Sequence, residues 1–183
     1  MRTIKKVASH IFIDGFGGMT QGLFATLIIG TMIQQIGLLI GGSTGNVIYL
    51  LGKAAAALTS AGIGVGVAVK YGESPLVTVS AAVAAMVGGY AGKITGGTFF
   101  VDGNAVLAGP GEPLGAFIAA FAGITCGHLV SGKTKVDIIV TPVITIGAGS
   151  VVGLLVGPPI SQTMTGLGSI INWATEQRPF IMG

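Results

Sequence analysis

Charge is what this chain has least of. Only 8% of its 183 residues are Asp, Glu, Lys or Arg, against about a quarter in a soluble domain, which leaves too little charge to cover a water-facing surface. With 51% hydrophobic residues and a mean hydropathy of +0.86, the bulk solvent for the chain is lipid. Cysteine is nearly absent. The one thiol, Cys126, excludes an intrachain disulfide and a Cys-based metal cluster, and its setting in "AGITCGH" reads as a small packed residue rather than a reactive one. Basic residues are few and dispersed, with no basic face interleaved with aromatics, so nucleic acid is not an expected partner. A Ser/His/Asp set in a credible context and a metal-ligand cluster are both missing. No catalytic residue, metal or cofactor is expected, and the chain is not read as an enzyme on its own.

Glycine is abundant instead. The 33 glycines sit inside Ala/Val/Ile/Leu runs, where small residues let helix backbones approach closely. The expected fold is an all-α integral membrane protein, one domain over 1–183, with five to six transmembrane helices. The N-terminal "MRTIKKVASHIFIDGFGG" begins with basic residues but lacks a small-residue cleavage site, so 1–15 reads as a retained amphipathic helix at the membrane surface, with His10 at the headgroups. Spans of about 20 apolar residues are expected at Gly17–Ile40, Val47–Val69, Leu76–Gly92, Leu114–Val130 and Ile138–Val156, with a weaker sixth at Ile160–Thr175. Gly88/Gly92, Gly123/Gly127 and Gly149/Gly153/Gly157 each place small residues on one helix face. With the N-terminus in the cytoplasm, Arg2, Lys5, Lys6, Lys70, Lys133 and Lys135 fall inside and Lys93 and Arg178 outside, as the excess of positive charge in cytoplasmic loops requires.

Two stretches break the apolar pattern. "GGTFFVDGNAVLAGPGEPLGA", Gly96–Ala116, is too polar and too rich in helix breakers to span, yet too apolar for an aqueous loop. A re-entrant segment over 96–113 fits both facts, since irregular backbone at membrane depth survives where it is buried in protein or lines a wet cavity. Glu112, Asp102, Asn104 and the Gly111 backbone then suit the hydroxyls of a sugar. The plainer readings are a Glu112 helix cap before Pro113 and an ordinary turn at Asp102-Gly103. "VGPPISQTMTGLGS", Val156–Ser169, reads as a second broken segment, returning with Ser161, Gln162, Thr163 and Thr165. Thr163 is a secondary candidate. So is His128, as a proton carrier against a structural histidine. Gln34 and Gln35 are expected to hydrogen-bond between helices.

The stretches "MRTIKKVASHIFIDGFGGMTQGLFATLIIGTMIQQIG", "GPGEPLGA" and "INWATEQRPFIMG" resemble the N-terminal half of a family of membrane (IIC-type) components of sugar phosphotransferase systems, which includes perfringolysin O regulator-like proteins. The resemblance covers essentially the whole chain. It implies a multi-pass protein of the bacterial inner membrane, a homodimer among membrane lipids, that binds and translocates a sugar or similar small polar solute. It also implies cytoplasmic phosphotransferase-system subunits as partners, because the phosphate travels on a His or Cys of separate domains. Members of the family are nearly twice as long, so this chain is expected to be half of a larger membrane protein. Glu112 in "GPGEP" is the nearest counterpart of the Glu that sugar-binding IIC proteins carry in a Gly-Ile-x-Glu motif, and it departs from that pattern. On the residues alone an alternative stays open: a membrane-embedded regulator, or a binder of lipid or a small molecule without transport.

Overall fold

The computed structural model describes residues 10–107 and 109–177. It is built almost wholly of helices, which satisfy their backbone polar groups within the segment as hydrocarbon demands. A π-helical turn, His10–Gly15, leads into α1 (Phe16–Leu23), and a second π-helical stretch, Phe24–Ile28, joins α1 to α2 (Ile29–Ile40). Ile13–Ile40 thus forms one apolar helix of 28 residues, about 42 Å long. Most of the interfacial helix expected over 1–15, with Arg2, Lys5 and Lys6, lies outside the described residues, as does Arg178.

The chain reverses at Gly41, whose φ of 67° suits a residue without a Cβ. The second span, expected as one helix, is two: α3 (Gly42–Ala57) and α4 (Thr59–Lys70), bent by 53° at Leu58. Next come α5 (Pro75–Gly89) and the short α6 (Ala91–Thr95). The strands β1 (Phe100–Val101) and β2 (Asn104–Ala105) follow, then α7 (Pro113–Val130) and α8 (Asp137–Gln177). Among the described residues three helices are long and apolar enough to cross a membrane, or four if the bent pair is one span, and α5 is apolar but shorter. Ser74 caps α5 and Glu112 caps α7, each followed by proline in the first helical turn, where a missing N–H is harmless.

A second expectation is corrected as well. The fifth and sixth spans do not separate at Gly157–Pro159: α8 is a single helix of 41 residues running through Pro142, Pro158 and Pro159. In water two adjacent prolines would end a helix. In lipid the freed backbone groups must be satisfied within the protein, and continuing the helix loses fewer bonds than breaking it. Downstream, Thr163 donates to the Pro159 carbonyl at 2.8 Å and Thr165 to the Ser161 carbonyl at 2.9 Å, so these hydroxyls fold back on their own helix.

Glycines set the packing. The long first helix runs antiparallel to the bent pair, with Gly18 against Gly66, Gly22 against Gly62, Gly30 against Gly52 and Gly37 against Gly45. A Cβ on Gly18 would lie 2.6 Å from the Gly66 carbonyl oxygen, so the backbones touch. Gln34, expected between helices, bonds the Gly30 carbonyl of its own helix at 3.4 Å while its backbone lies against Gly52. The core joins α4, α5 and α7 through Ile63, Val67, Val77, Ala81, Ala85, Ala116, Phe117, Ala120 and Ile124, with the alanines permitting close approach. Gly149, Gly153 and Gly157 of α8 face Ala119, Gly88 and Ala91, so this stripe meets helices of the same chain. Beyond the bend, α2 and α3 pack chiefly on each other, and Leu38, Leu39, Val47 and Leu51 face outward.

Candidate functional site

The break at Leu58 organises one level of the molecule. Bending there frees the last carbonyls of α3, and two of them take side-chain partners. Thr59 Oγ1 donates to the Ala56 carbonyl at 2.6 Å, and Tyr90 Oη reaches the Ala57 carbonyl at 3.3 Å. From the other side the loop Gly109–Glu112 is bonded onto this break. Ser60 Oγ donates to the Pro110 carbonyl at 2.9 Å, Tyr90 Oη donates to the Gly109 carbonyl, and the Glu112 N–H donates to the Gly89 carbonyl at 2.7 Å. Gly111 has φ 76° and its Cα faces Ser60 Oγ and the Gly89 carbonyl, so both backbone angle and space call for glycine there.

This level lies halfway along two of the long helices and at the start of the third, α7. Leu58 faces the neighbourhood of Thr26, near the middle of Ile13–Ile40. On α8, Gly157 abuts Ala91 and Ser161 lies against Gly92, near the middle of Asp137–Gln177.

A polar cleft opens here. One cavity of about 630 Å³ is lined by Lys93, Thr95, Gly96 and Thr98 on one side and by Pro158, Ser161, Gln162 and Thr165 of α8 on the other. A smaller one, about 200 Å³, shares Gly92, Lys93 and Ser161 with it and adds Gly89, Pro110, Gly111 and Glu112. Residues 158, 161, 162 and 165 fall on one helical face by their i, i+3, i+4, i+7 spacing. Glu112 is half-buried. Its carboxylate accepts from the Leu114 N–H at 3.4 Å, a weak cap that leaves acceptor capacity facing the cavity. The Lys93 ammonium sits 5.3 Å from the centre of the Tyr90 ring, a cation–π distance.

The sequence candidates scatter. Glu112 and Gly111 line the smaller cavity. Asp102 and Asn104 stand on the exposed hairpin β1–β2, whose register pairs Phe100 with Ala105 and Val101 with Asn104. Asp102 and Gly103 both have positive φ, 51° and 78°, the geometry of a tight two-residue hairpin turn, and the Asn104 amide bonds the Asp102 carbonyl at 3.3 Å. Thr163 is exposed on another face of α8 from Ser161, Gln162 and Thr165.

His128 is at the far end of α7, about 24 Å from Glu112 by helical rise. Its Nδ1 lies 3.0 Å from a carboxylate oxygen of Glu73, with His128 71% exposed and Glu73 9%. Beside this pair, Ser74 and Ser131 share a hydrogen bond at 3.0 Å. Asp137 accepts from the Gly132 N–H at 2.9 Å and from Thr141 at 2.6 Å. The Tyr71 phenol at this end is raised from its ordinary value, by burial first and the Asp14 carboxylate second, so it stays neutral. These contacts join the turn after α4 to the turn after α7.

Sequence reasoning missed Lys93, Ser60 and Tyr90, and set Thr163 above its neighbours. The helical spacing of the polar residues after Pro158 carried the signal for Ser161, Gln162 and Thr165. Among the described residues no group of three or more His, Cys, Asp or Glu side chains is placed to hold a metal ion. A third groove, about 490 Å³ between α1 and α4, is lined by Gly22, Ala25, Leu58, Ala61, Gly62 and Val65 among others and offers little to a polar solute.

No curated protein and no solved structure matches the chain. A family model described as Phosphotransferase system, EIIC matches residues 13–183, which together with the long apolar helices makes this a multi-pass membrane component of sugar transport. The chain belongs to the phosphotransferase system EIIC family.

Proposed function

We propose that this EIIC-family chain holds a sugar, or a similar small polar solute, in the cleft between α6, the Gly109–Glu112 loop and α8. The observation that carries the reading is the convergence of Lys93, Thr95, Thr98, Glu112, Ser161, Gln162 and Thr165 on adjoining cavities halfway along two helices long enough to span, Ile13–Ile40 and α8. Substrate sites of transporters gather at that depth, where broken helices meet, and a cavity of a few hundred Å³ with a few convergent polar groups is the size of a small-ligand site. Hydroxyls and the Gln162 amide both donate and accept, Glu112 accepts and Lys93 donates, which matches the mixed demands of a polyol. Gly96–Ala116 then acts as a re-entrant segment: its hairpin projects, and its Gly109–Glu112 end returns to depth. Asp102, Asn104, Thr163 and His128 line neither cavity and take no part in this reading.

Within it, the glycine-lined helix contacts permit sliding of one helical group against another, exposing the cleft to each side in turn. With the N-terminus cytoplasmic, the cleft level opens away from the turns carrying Lys70, Lys133 and Lys135, and cytoplasmic subunits of the system deliver phosphate from the turn side. The outward apolar surface of α2 and α3 is the face proposed for a second copy in a homodimer.

Native mass spectrometry of protein released gently from membranes tests the site. A sugar-sized adduct is expected on the wild type and absent from Glu112→Gln. Retention of lipid alone, or an adduct indifferent to Glu112, would sink the sugar site and favour a membrane-embedded regulator or lipid binder.

A further inference from the structure

The Tyr90 hydroxyl has one proton and two carbonyl acceptors on two different elements. One is Ala57, the last residue of α3 at the bend; the other is Gly109, at the start of the loop that carries Glu112. A phenol can donate fully to only one of them at a time. The Tyr90 side chain is itself buried, 1% exposed, with its ring 5.4 Å from that of Phe99 and the Lys93 ammonium over its face. The ring is therefore fixed, and the choice of acceptor lies with the two carbonyls.

We propose that Tyr90 is a positioning residue that couples the bend between α3 and α4 to the Gly109–Glu112 loop. When the hydroxyl serves Gly109, the loop is held on the break. When the bend changes and brings the Ala57 carbonyl closer to the hydroxyl, Gly109 is released, and the loop keeps only the Ser60 bond to Pro110 and the Glu112 N–H bond to Gly89. The bend has the freedom to change. The arm formed by α2 and α3 packs chiefly on itself, is zipped by Gly30/Gly52 and Gly37/Gly45, and joins the rest through two irregular points at one level. These are the π-helical stretch Phe24–Ile28 and Leu58, and π-helical distortions are frequent at functional sites. Movement of the arm thus reaches Glu112 through a single hydroxyl. The inference deepens the solute-site reading, and rests on it only for what the coupling regulates.

The test needs no solute, so its failure is separate from that of the site. In full-length protein in lipid nanodiscs with Cys126→Ala, spin labels at Leu39→Cys on the arm and Val79→Cys on α5, both exposed, report the bend as a distance distribution. Amide exchange of residues 109–116 reports the loop. Tyr90→Phe, which removes only the hydroxyl, is expected to speed loop exchange about five-fold, the worth of one hydrogen bond, and to broaden the Leu39–Val79 distribution together with it. Faster exchange with an unchanged distribution would make Tyr90 a mere tether and overturn the coupling, as would no change in either. Ser60→Ala is the second variant, should Tyr90→Phe fold poorly. Its hydroxyl serves Pro110 alone, so exchange should rise while the distribution stays as in wild type; a broadened distribution there would move control of the bend to Ser60 and refute the assignment to Tyr90.

Discussion

Gly96–Ala116 and Val156–Ser169 are built from the same materials, glycine, proline and small polar residues between apolar runs, and they fold in opposite ways. The first leaves the helical path altogether. Gly97, Asp102, Gly103, Gly109 and Gly111 take positive φ, and Pro113 begins a new helix. The second stays helical throughout, with Pro158 and Pro159 inside α8 and Gly166 and Gly168 meeting nothing within 4 Å of an added Cβ. The difference lies in what surrounds each. The loop Gly109–Glu112 has external partners for its backbone in Ser60, Tyr90 and Gly89. The stretch after Pro158 has α6 on one side, and its own helix must satisfy its backbone. Helix breakers therefore break a helix in lipid where other groups accept the freed bonds, and otherwise they are absorbed. The two segments still meet, as the two walls of one cleft.

Substitutions can break this contrast. The largest effect is expected on binding. Glu112→Gln should weaken retention of the solute at least about ten-fold, the worth of a charge-assisted hydrogen bond, read by titration of the purified protein; unchanged affinity would detach the carboxylate from the cleft. Gly111→Ala comes next. A Cβ at a positive φ costs about 1–2 kcal/mol, and here it would also strike Ser60 Oγ, so the thermal midpoint should drop clearly. Gly166→Ala, in the helical wall, should leave stability unchanged or raise it by up to about 1 kcal/mol; equal losses at both positions would erase the distinction between the walls. Pro158→Ala should raise stability by about 1 kcal/mol with the helix intact, since proline in a helix interior is unfavourable; a loss would show that the ring shapes the cleft wall. The smallest effect belongs to the hairpin tip. Asn104→Ala should stay within about 0.5 kcal/mol and leave solute retention unaltered.

Much of the fold was readable because hydropathy and capping are local. The Ser74-Pro75 and Glu112-Pro113 pairs announce the starts of α5 and α7, and the end of the first long helix at Ile40 follows from the glycines after it. The glycine stripe on α8 was equally plain. The bend at Leu58 was not, because "KAAAALTSAG" is apolar and contains no proline; the break is held by tertiary bonds from Tyr90 and Ser60 that no local pattern encodes. The same holds for the site. Glu112 was legible as an acid beside breakers, whereas Lys93 looked like a loop cation and became a cleft residue only through the approach of α6 to α8. Asp102-Gly103 drew attention as acid in an apolar stretch, yet its plainer reading as a turn is what the hairpin shows.

The most direct measurement compares two neighbouring positions on α8. In protein carrying Cys126→Ala and reconstituted in lipid, Ser161→Cys and Thr163→Cys are alkylated with and without a panel of unphosphorylated hexoses, hexitols and disaccharides. If the cleft between the two segments is the solute site, one member of the panel slows alkylation at position 161 and leaves position 163 untouched. Protection of neither position by any member of the panel, or of both equally, would contradict it.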